Sequence, residues 1–442
     1  MTVSSWIRLS PWGGVASAIL AALFVTGSVE AQEGNAELEA LAQRVDRLAK
    51  QLADKPASDE VDLSAGEVAY GDLEQTTDVL ARPWHQNFTL RGYLAAAYLQ
   101  TGNAASRPEG GFALRETAII VEADVWEDIS VFLEIFTDFK ALGFSSSLFT
   151  REVYADFKNV GKQWWGEDLL NIKVGRFDIP FGEEYVYETP PDNPLILNSA
   201  HWWYSSDAGI MAYGEYRDVG WVLAVTNGTK NLNIDDDADK AINVKVYGNP
   251  LDDLYLSASF MRQSRTKASG VRFSGSRFQP VGAGGTSALG ASSNTEVDAL
   301  IYGLDARWHF LQDSYVHLSF GQAFVDDTDP AFDRDFLWWS VEAVHYLTNS
   351  VYAAVRYSEI GTFDSGEGYH FDGTFTAGGN SAIGYDARRF QRLSLGVGWK
   401  PNNNLVWKVE IGGDRYDVID ASTIDPDNDE RWFIGSEIVL SF

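Results

Sequence analysis

From residue 86 onward, apolar and polar positions alternate in about sixteen short stretches, and the gaps between them are by turns long and very short. Side chains on a strand alternate across its two faces, so each stretch reads as a β-strand with one greasy and one wet side. Short links fall at 126–128, 217–219, 249–251, 311–313, 348–350 and 401–403, with turn-forming Asn, Asp, Pro or Ser nearby, and a longer one at 159–168. The excursions between them are 101–111, 139–149, 178–206, 227–238, 263–294, 325–331, 361–385 and 418–428. Eight long loops on one side and seven short turns on the other predict an all-β fold, a sixteen-stranded antiparallel transmembrane β-barrel.

The stripes are explicit near the end of the chain. Trp432, Ile434, Ile438, Leu440 and Phe442 share one face, with Glu437 and Ser441 on the other. The preceding stretch sets Leu405, Trp407, Val409 and Ile411 against Lys408 and Glu410. A soluble β-sandwich would show such stripes too. The placement of Trp308, Trp339, Tyr346, Trp399 and Trp432 near strand ends instead suits a lipid-water boundary.

The pattern changes toward the N-terminus. Residues 1–31 carry Arg8, a short apolar run over 14–25 and a small-x-small site at Val29-Glu30-Ala31, and read as an export signal peptide. Residues 32–55 read as a short periplasmic coiled-coil helix: Leu38, Leu41, Val45, Leu48 and Leu52 follow a 3, 4 spacing that Pro56 stops. A lone amphipathic helix is the other reading; a coiled coil would help hold subunits together or reach the cell wall's peptidoglycan. Residues 56–85 form an acidic linker, and 86–442 the barrel.

Composition removes several functions. With no cysteine there is no disulfide framework, thiol chemistry or Cys-bound metal, and a formal charge of -29 excludes a nucleic-acid partner. No G-x-S-x-G, H-E-x-x-H or P-loop string occurs, so no enzyme is expected. No cofactor is expected either. The alternating Asp235, Asp237, Asp239 and Asp425, Asp427, Asp429 offer oxygens for loop calcium, but lack the Gly and closing Glu of an EF-hand and read better as solvated tips.

On the inward face the alternation places Arg91, Lys173, Lys245, Arg307, Arg356, Arg392 and Lys408 among the bases. It places Glu116, Glu122, Asp124, Glu134, Glu152, Asp156, Glu215, Asp305, Glu342, Glu410 and Glu437 among the acids. Acids outnumber bases, and a unit charge about 7 Å from an ion in water is worth roughly 0.6 kcal/mol, so the expected outcome is a weak cation preference. One stretch opposes it: Arg262, Arg265, Lys267, Arg272 and Arg277 fall in the fifth long loop. Folded inward they would collect anions; splayed outward, the favoured reading, they form a solvated patch or touch anionic surface lipid.

Val174-Gly175-Arg176-Phe177-Asp178-Ile179-Pro180-Phe181-Gly182, with Phe132-Leu133-Glu134, Asp138-Phe139 and Phe442, resembles the phosphate-selective porin O and P family over most of 86–442. The resemblance implies a sixteen-stranded, trimeric pore embedded in the lipid of the outer membrane of a Gram-negative-type bacterium. It also implies that the third long loop folds into the lumen as a constriction carrying Glu183, Glu184, Tyr185, Tyr187, Glu188, Asp192, Trp202, Trp203 and Tyr204. The other reading of that loop is an external one, packed on a neighbouring subunit. The acid-rich inner face departs from the arginine-lined path that phosphate-binding members need. Expected functions are therefore passive diffusion of ions and small hydrophilic solutes, with anion or phosphate selectivity, saccharide binding on Trp202, Trp203 and Tyr204, or a structural anchor to the cell wall as alternatives.

Overall fold

The computed structural model describes residues 87–102, 110–138, 147–187, 189–201, 206–228, 239–267, 278–280, 296–311, 313–327, 334–362, 369–371, 385–418 and 430–442. The chain divides into two units, Met1–Ala81 and Arg82–Phe442, the first of which lies wholly outside the described residues. The signal-peptide, coiled-coil and linker readings lie outside the described residues.

The second unit is one closed antiparallel barrel. Its strands are β1 (Phe88–Thr101), β2 (Gly111–Trp126), β3 (Ile129–Asp138), β4 (Ser147–Phe157), β5 (Asn171–Asp178), β6 (Ser206–Tyr216), β7 (Val219–Thr226), β8 (Ala241–Leu251) and β9 (Leu254–Lys267). A three-residue β10 (Phe278–Pro280) precedes β11 (Glu296–His309), β12 (Tyr315–Asp327), β13 (Arg334–Tyr346) and β14 (Val351–Thr362). A second three-residue strand, β15 (Tyr369–Phe371), precedes β16 (Tyr385–Asn402), β17 (Leu405–Val418) and β18 (Glu430–Ser441). Each long strand pairs with the next, β9 with β11 and β14 with β16, and β18 returns to β1, which gives sixteen wall strands. The short β10 and β15 pair with each other and extend the sheet at the long-loop rim. At the seam, Phe442 and Gly92 exchange both backbone hydrogen bonds, at 2.9 and 3.0 Å.

Burial follows the alternation. On β17, Trp407, Val409 and Ile411 are 45%, 39% and 53% exposed, whereas Val406, Lys408 and Glu410 between them are 4%, 1% and 1% exposed. A soluble protein would hide the first set and solvate the second; a wall facing hydrocarbon does the reverse. Trp308, Trp339, Trp399 and Trp432 point outward as expected. Tyr346 does not: it packs on an inner cluster with Leu195, Val344 and Tyr352.

Among the register irregularities, two bulges place charged doublets on the inner face. Arg115 is the extra residue of β2 between the Ala95/Glu116 and Ala96/Leu114 pairs, and Arg151 with Glu152 faces the single Glu134 across β4 and β3. A bulge brings neighbouring residues onto one face. Here it turns Arg115 inward beside Glu116, and Arg151 inward beside Glu152.

Candidate functional site

The site is the barrel interior and the long excursion between β5 and β6, described over 179–187 and 189–201. This loop lies against inward-facing side chains around much of the wall. Within β5, ahead of the loop, Gly175 has a φ of +137°, and its missing Cβ lets the strand lie against Val153 O and Tyr154 of β4. A single turn, α2 (Glu184–Tyr187), follows; α1 (Lys162–Trp165) lies in the longest short-rim turn.

The first half of the loop docks on β8, β9 and β11. Gly182 N donates to Ser259 Oγ at 3.0 Å, and Lys245 Nζ donates to Gly182 O at 2.8 Å. Glu183 pairs with Lys245 at 2.8 Å and accepts from Tyr255 OH at 2.7 Å. Arg307 stacks 3.6 Å from the centre of the Tyr187 ring and 4.7 Å from that of Tyr315. Burial raises the Tyr185 and Tyr187 phenol pKa values, with Glu183 adding to the rise at Tyr185, so both rings stay neutral.

The second half docks on β14 to β18 and on the long-loop end of β1. Lys408 Nζ donates to the carbonyls of Pro190, Asn193 and Leu195 at 2.8, 3.0 and 3.2 Å, and pairs with Glu437 at 2.7 Å. Glu410 Oε2 accepts from the N–H groups of both Ile196 and Leu197. Arg356 donates to Leu197 O at 2.7 Å, Asn193 Oδ1 at 3.0 Å and Glu342 at 2.7 Å. Arg392 donates to Asn198 O at 2.8 Å while held bidentate on Asp414. Leu195 and Ile196 are fully buried, the latter with Ala97, Leu99 and Phe433. Gly396 makes room: a Cβ there would lie 2.5 Å from Leu195 Cδ2.

His201 closes the described part of the loop. It is 1% exposed, its Nδ1 lies 3.4 Å from Glu184 Oε2, and neither ring nitrogen makes a hydrogen bond among the described residues. Burial lowers its pKa, with Glu184 opposing, so the ring is neutral at pH 7.

The inward charges thus divide into two sets. Lys245, Arg307, Glu342, Arg356, Arg392, Lys408, Glu410 and Glu437 face inward but lie beneath or against the loop, which corrects their reading as a ring bathed by the permeating ion. On the other arc, β1 to β7, a cavity of about 600 Å³ remains between the wall and the loop's Tyr185, Val186, Thr189, Pro191 and Asp192. Arg91, Glu134, Arg151, Glu152, Lys173 and Asp178 line it. Arg151 pairs with Asp178 at 2.8 Å and Glu134 at 3.7 Å; Arg91 reaches Glu122 only at 3.8 Å. Glu116 accepts from Tyr93 OH, and Glu215 is exposed on β6 near the short-turn rim.

The basic stretch is placed differently from its sequence reading. Arg262, Arg265 and Lys267 belong to β9, not to the loop after it. Arg262 is opposite Ile242 and Leu300, both outward and exposed, so it cannot collect anions in the lumen. Arg272, Arg277, Glu188, Trp202, Trp203, Tyr204 and the Asp triads apart from Asp239 lie outside the described residues.

Sequence reasoning missed Arg115, which pairs with Glu437 at 2.7 Å, and Arg151. The signal was present: the doublets Arg115-Glu116 and Arg151-Glu152 each interrupt a period-two stripe, which is what a bulge does.

The fold is shared with solved outer-membrane barrels. An anion-selective porin from Comamonas acidovorans superposes with a TM-score of 0.54 at 11% identity, over 80% of this chain and 99% of that one. The outer membrane channel DcaP of Acinetobacter baumannii gives 0.53 at 11%, over 80% and 97%, and outer-membrane expressed OmpT of Vibrio cholerae 0.53 at 10%, over 80% and 97%. No family model and no curated protein matches the chain. At these identities the likeness establishes the sixteen-stranded porin fold.

Proposed function

We propose that this protein is a porin of a Gram-negative-type outer membrane, passing ions and small hydrophilic solutes by diffusion. The observation that carries the reading is the docked loop: it occupies the arc from β8 to β18 and leaves an open lane, in which charged and apolar side chains mix, along β1 to β7. A barrel of this strand number encloses more space than its own side chains fill, and a pinned loop is how such a space becomes a sieve.

Weak cation preference is the selectivity this lane favours. Glu134, Glu152, Asp178 and Asp192 line it against Arg91, Arg151 and Lys173. Phosphate selectivity, to which the resemblance at 174–182 points, has less support, because Arg307, Arg356 and Arg392 are engaged by the loop or by acids. A homotrimer accords with the trimer form recorded for OmpT of Vibrio cholerae.

Planar-bilayer recording on the purified protein tests the proposal. Stepwise openings in KCl with a reversal potential displaced modestly toward cations are expected. Absence of any conductance would overturn it, and a strong anion preference would replace its selectivity.

A further inference from the structure

Among the inward charges, Lys173 stands apart. Its Nζ lies 4.5 Å from the centre of the Tyr154 ring and 5.3 Å from that of Tyr213, and its one hydrogen bond among the described residues is a long 3.4 Å contact to Tyr154 OH. No carboxylate of the described residues lies within ion-pair distance of it. Tyr154 is itself fixed by stacking on Phe132, with ring centres 4.9 Å apart and planes 8° from parallel. Tyr213 is fixed by its hydroxyl, which donates to Asp156 at 2.8 Å. The ammonium is thus held by two immobilised rings in the wall of the open cavity, with donors to spare.

The surroundings say what kind of anion such a group would take. Phe132, Phe177, Met211 and Val222 on the wall and Val186 and Pro191 on the loop line the same cavity, and most of its lining is carbon. A strongly hydrated inorganic anion gains one ammonium there and loses water against apolar surface. A carboxylate with an apolar body gains the charge-assisted hydrogen bond and buries its hydrocarbon as well.

We propose that Lys173, framed by Tyr154 and Tyr213, is a binding station in the lane for small monocarboxylates carrying an aromatic or branched apolar body. The inference rests on the porin reading. The station slows such solutes at one point on the wall, while the acid surplus of the lane sets the preference among simple ions.

The test uses the full-length protein in planar bilayers, with benzoate, acetate or inorganic phosphate added to the KCl bath. Benzoate should reduce the current saturably at concentrations where acetate and phosphate do not. Lys173→Gln should raise the half-blocking benzoate concentration about tenfold, and Lys173→Arg should retain the block. An open channel that benzoate does not block, equal block by phosphate, or unchanged block in Lys173→Gln would each overturn the station while leaving the porin reading intact. A protein with no conductance in KCl would instead remove the porin reading on which the station rests.

Discussion

The two arcs of the inner wall are built from similar side chains put to opposite uses. From β8 round to β18, lysines, arginines and glutamates are spent on the backbone and side chains of the inserted loop, and Lys408 and Arg392 are each 1% exposed. From β1 to β7, among the described residues, Arg91 has a side chain 54% exposed and one loose partner, and Lys173 has only aromatic company. An inward charge on a barrel strand therefore says little about conduction until its cover is known. The covered arc determines where the loop sits; the bare arc meets the solute.

Removing Lys408 should have the largest effect. Lys408→Met deletes the donor to three loop carbonyls and one partner of Glu437, and breaking a buried ion pair costs about 3–5 kcal/mol. Loss of heat-resistant mobility on gels and larger, noisier single-channel openings are expected. Unaltered conductance would mean that other contacts alone hold the loop.

Glu410→Ala comes next. It leaves the buried N–H groups of Ile196 and Leu197 without their acceptor, at about 1–3 kcal/mol for each unsatisfied group. The same noise should appear at milder temperature, and a double variant with Lys408→Met should be less than additive, because both act on one loop segment.

A smaller effect should come from acid. Burial lowers the His201 pKa in the docked loop, whereas an undocked imidazole titrates near its ordinary value of about 6.5. As pH falls below that value, the undocked form binds a proton that the docked form resists, so docking weakens until the lower docked pKa is passed. Conductance noise should rise between pH 8 and pH 5, and His201→Gln should make it independent of pH.

The smallest structural effect is expected on the bare arc. The Arg91 and Glu122 side chains are 54% and 37% exposed and lie 3.8 Å apart, a pair worth at most about 1 kcal/mol. Arg91→Gln should leave thermal stability unchanged and shift the reversal potential slightly toward cations. A large loss of stability there would erase the contrast between the arcs.

The barrel was legible because its physics is local. Period-two stripes and turn chemistry placed the wall strands with errors of a few residues, as where β8 runs on to Leu251 and β9 to Lys267. Docking was not legible, since it depends on pairs such as Lys408 with Asn193, more than two hundred residues apart. One clue was available: Leu195-Ile196-Leu197 is an apolar run inside a polar loop, and such a run needs something to bury it. The bulges at Arg115 and Arg151 were hidden for the opposite reason, because a strict alternation assumes that none exist.

The seam between β18 and β1 has a consequence for assembly. Gly92 and Phe442 meet to complete the ring, from the first and last strands of the barrel. Joining points so far apart in sequence is entropically the most demanding step available to this polypeptide. Until it is taken, both terminal strands carry a row of unpaired peptide groups that hydrocarbon would not tolerate. Insertion and ring closure should accordingly be a single cooperative event, and weakening the last strand should trap the whole chain outside the bilayer instead of leaving one hairpin frayed.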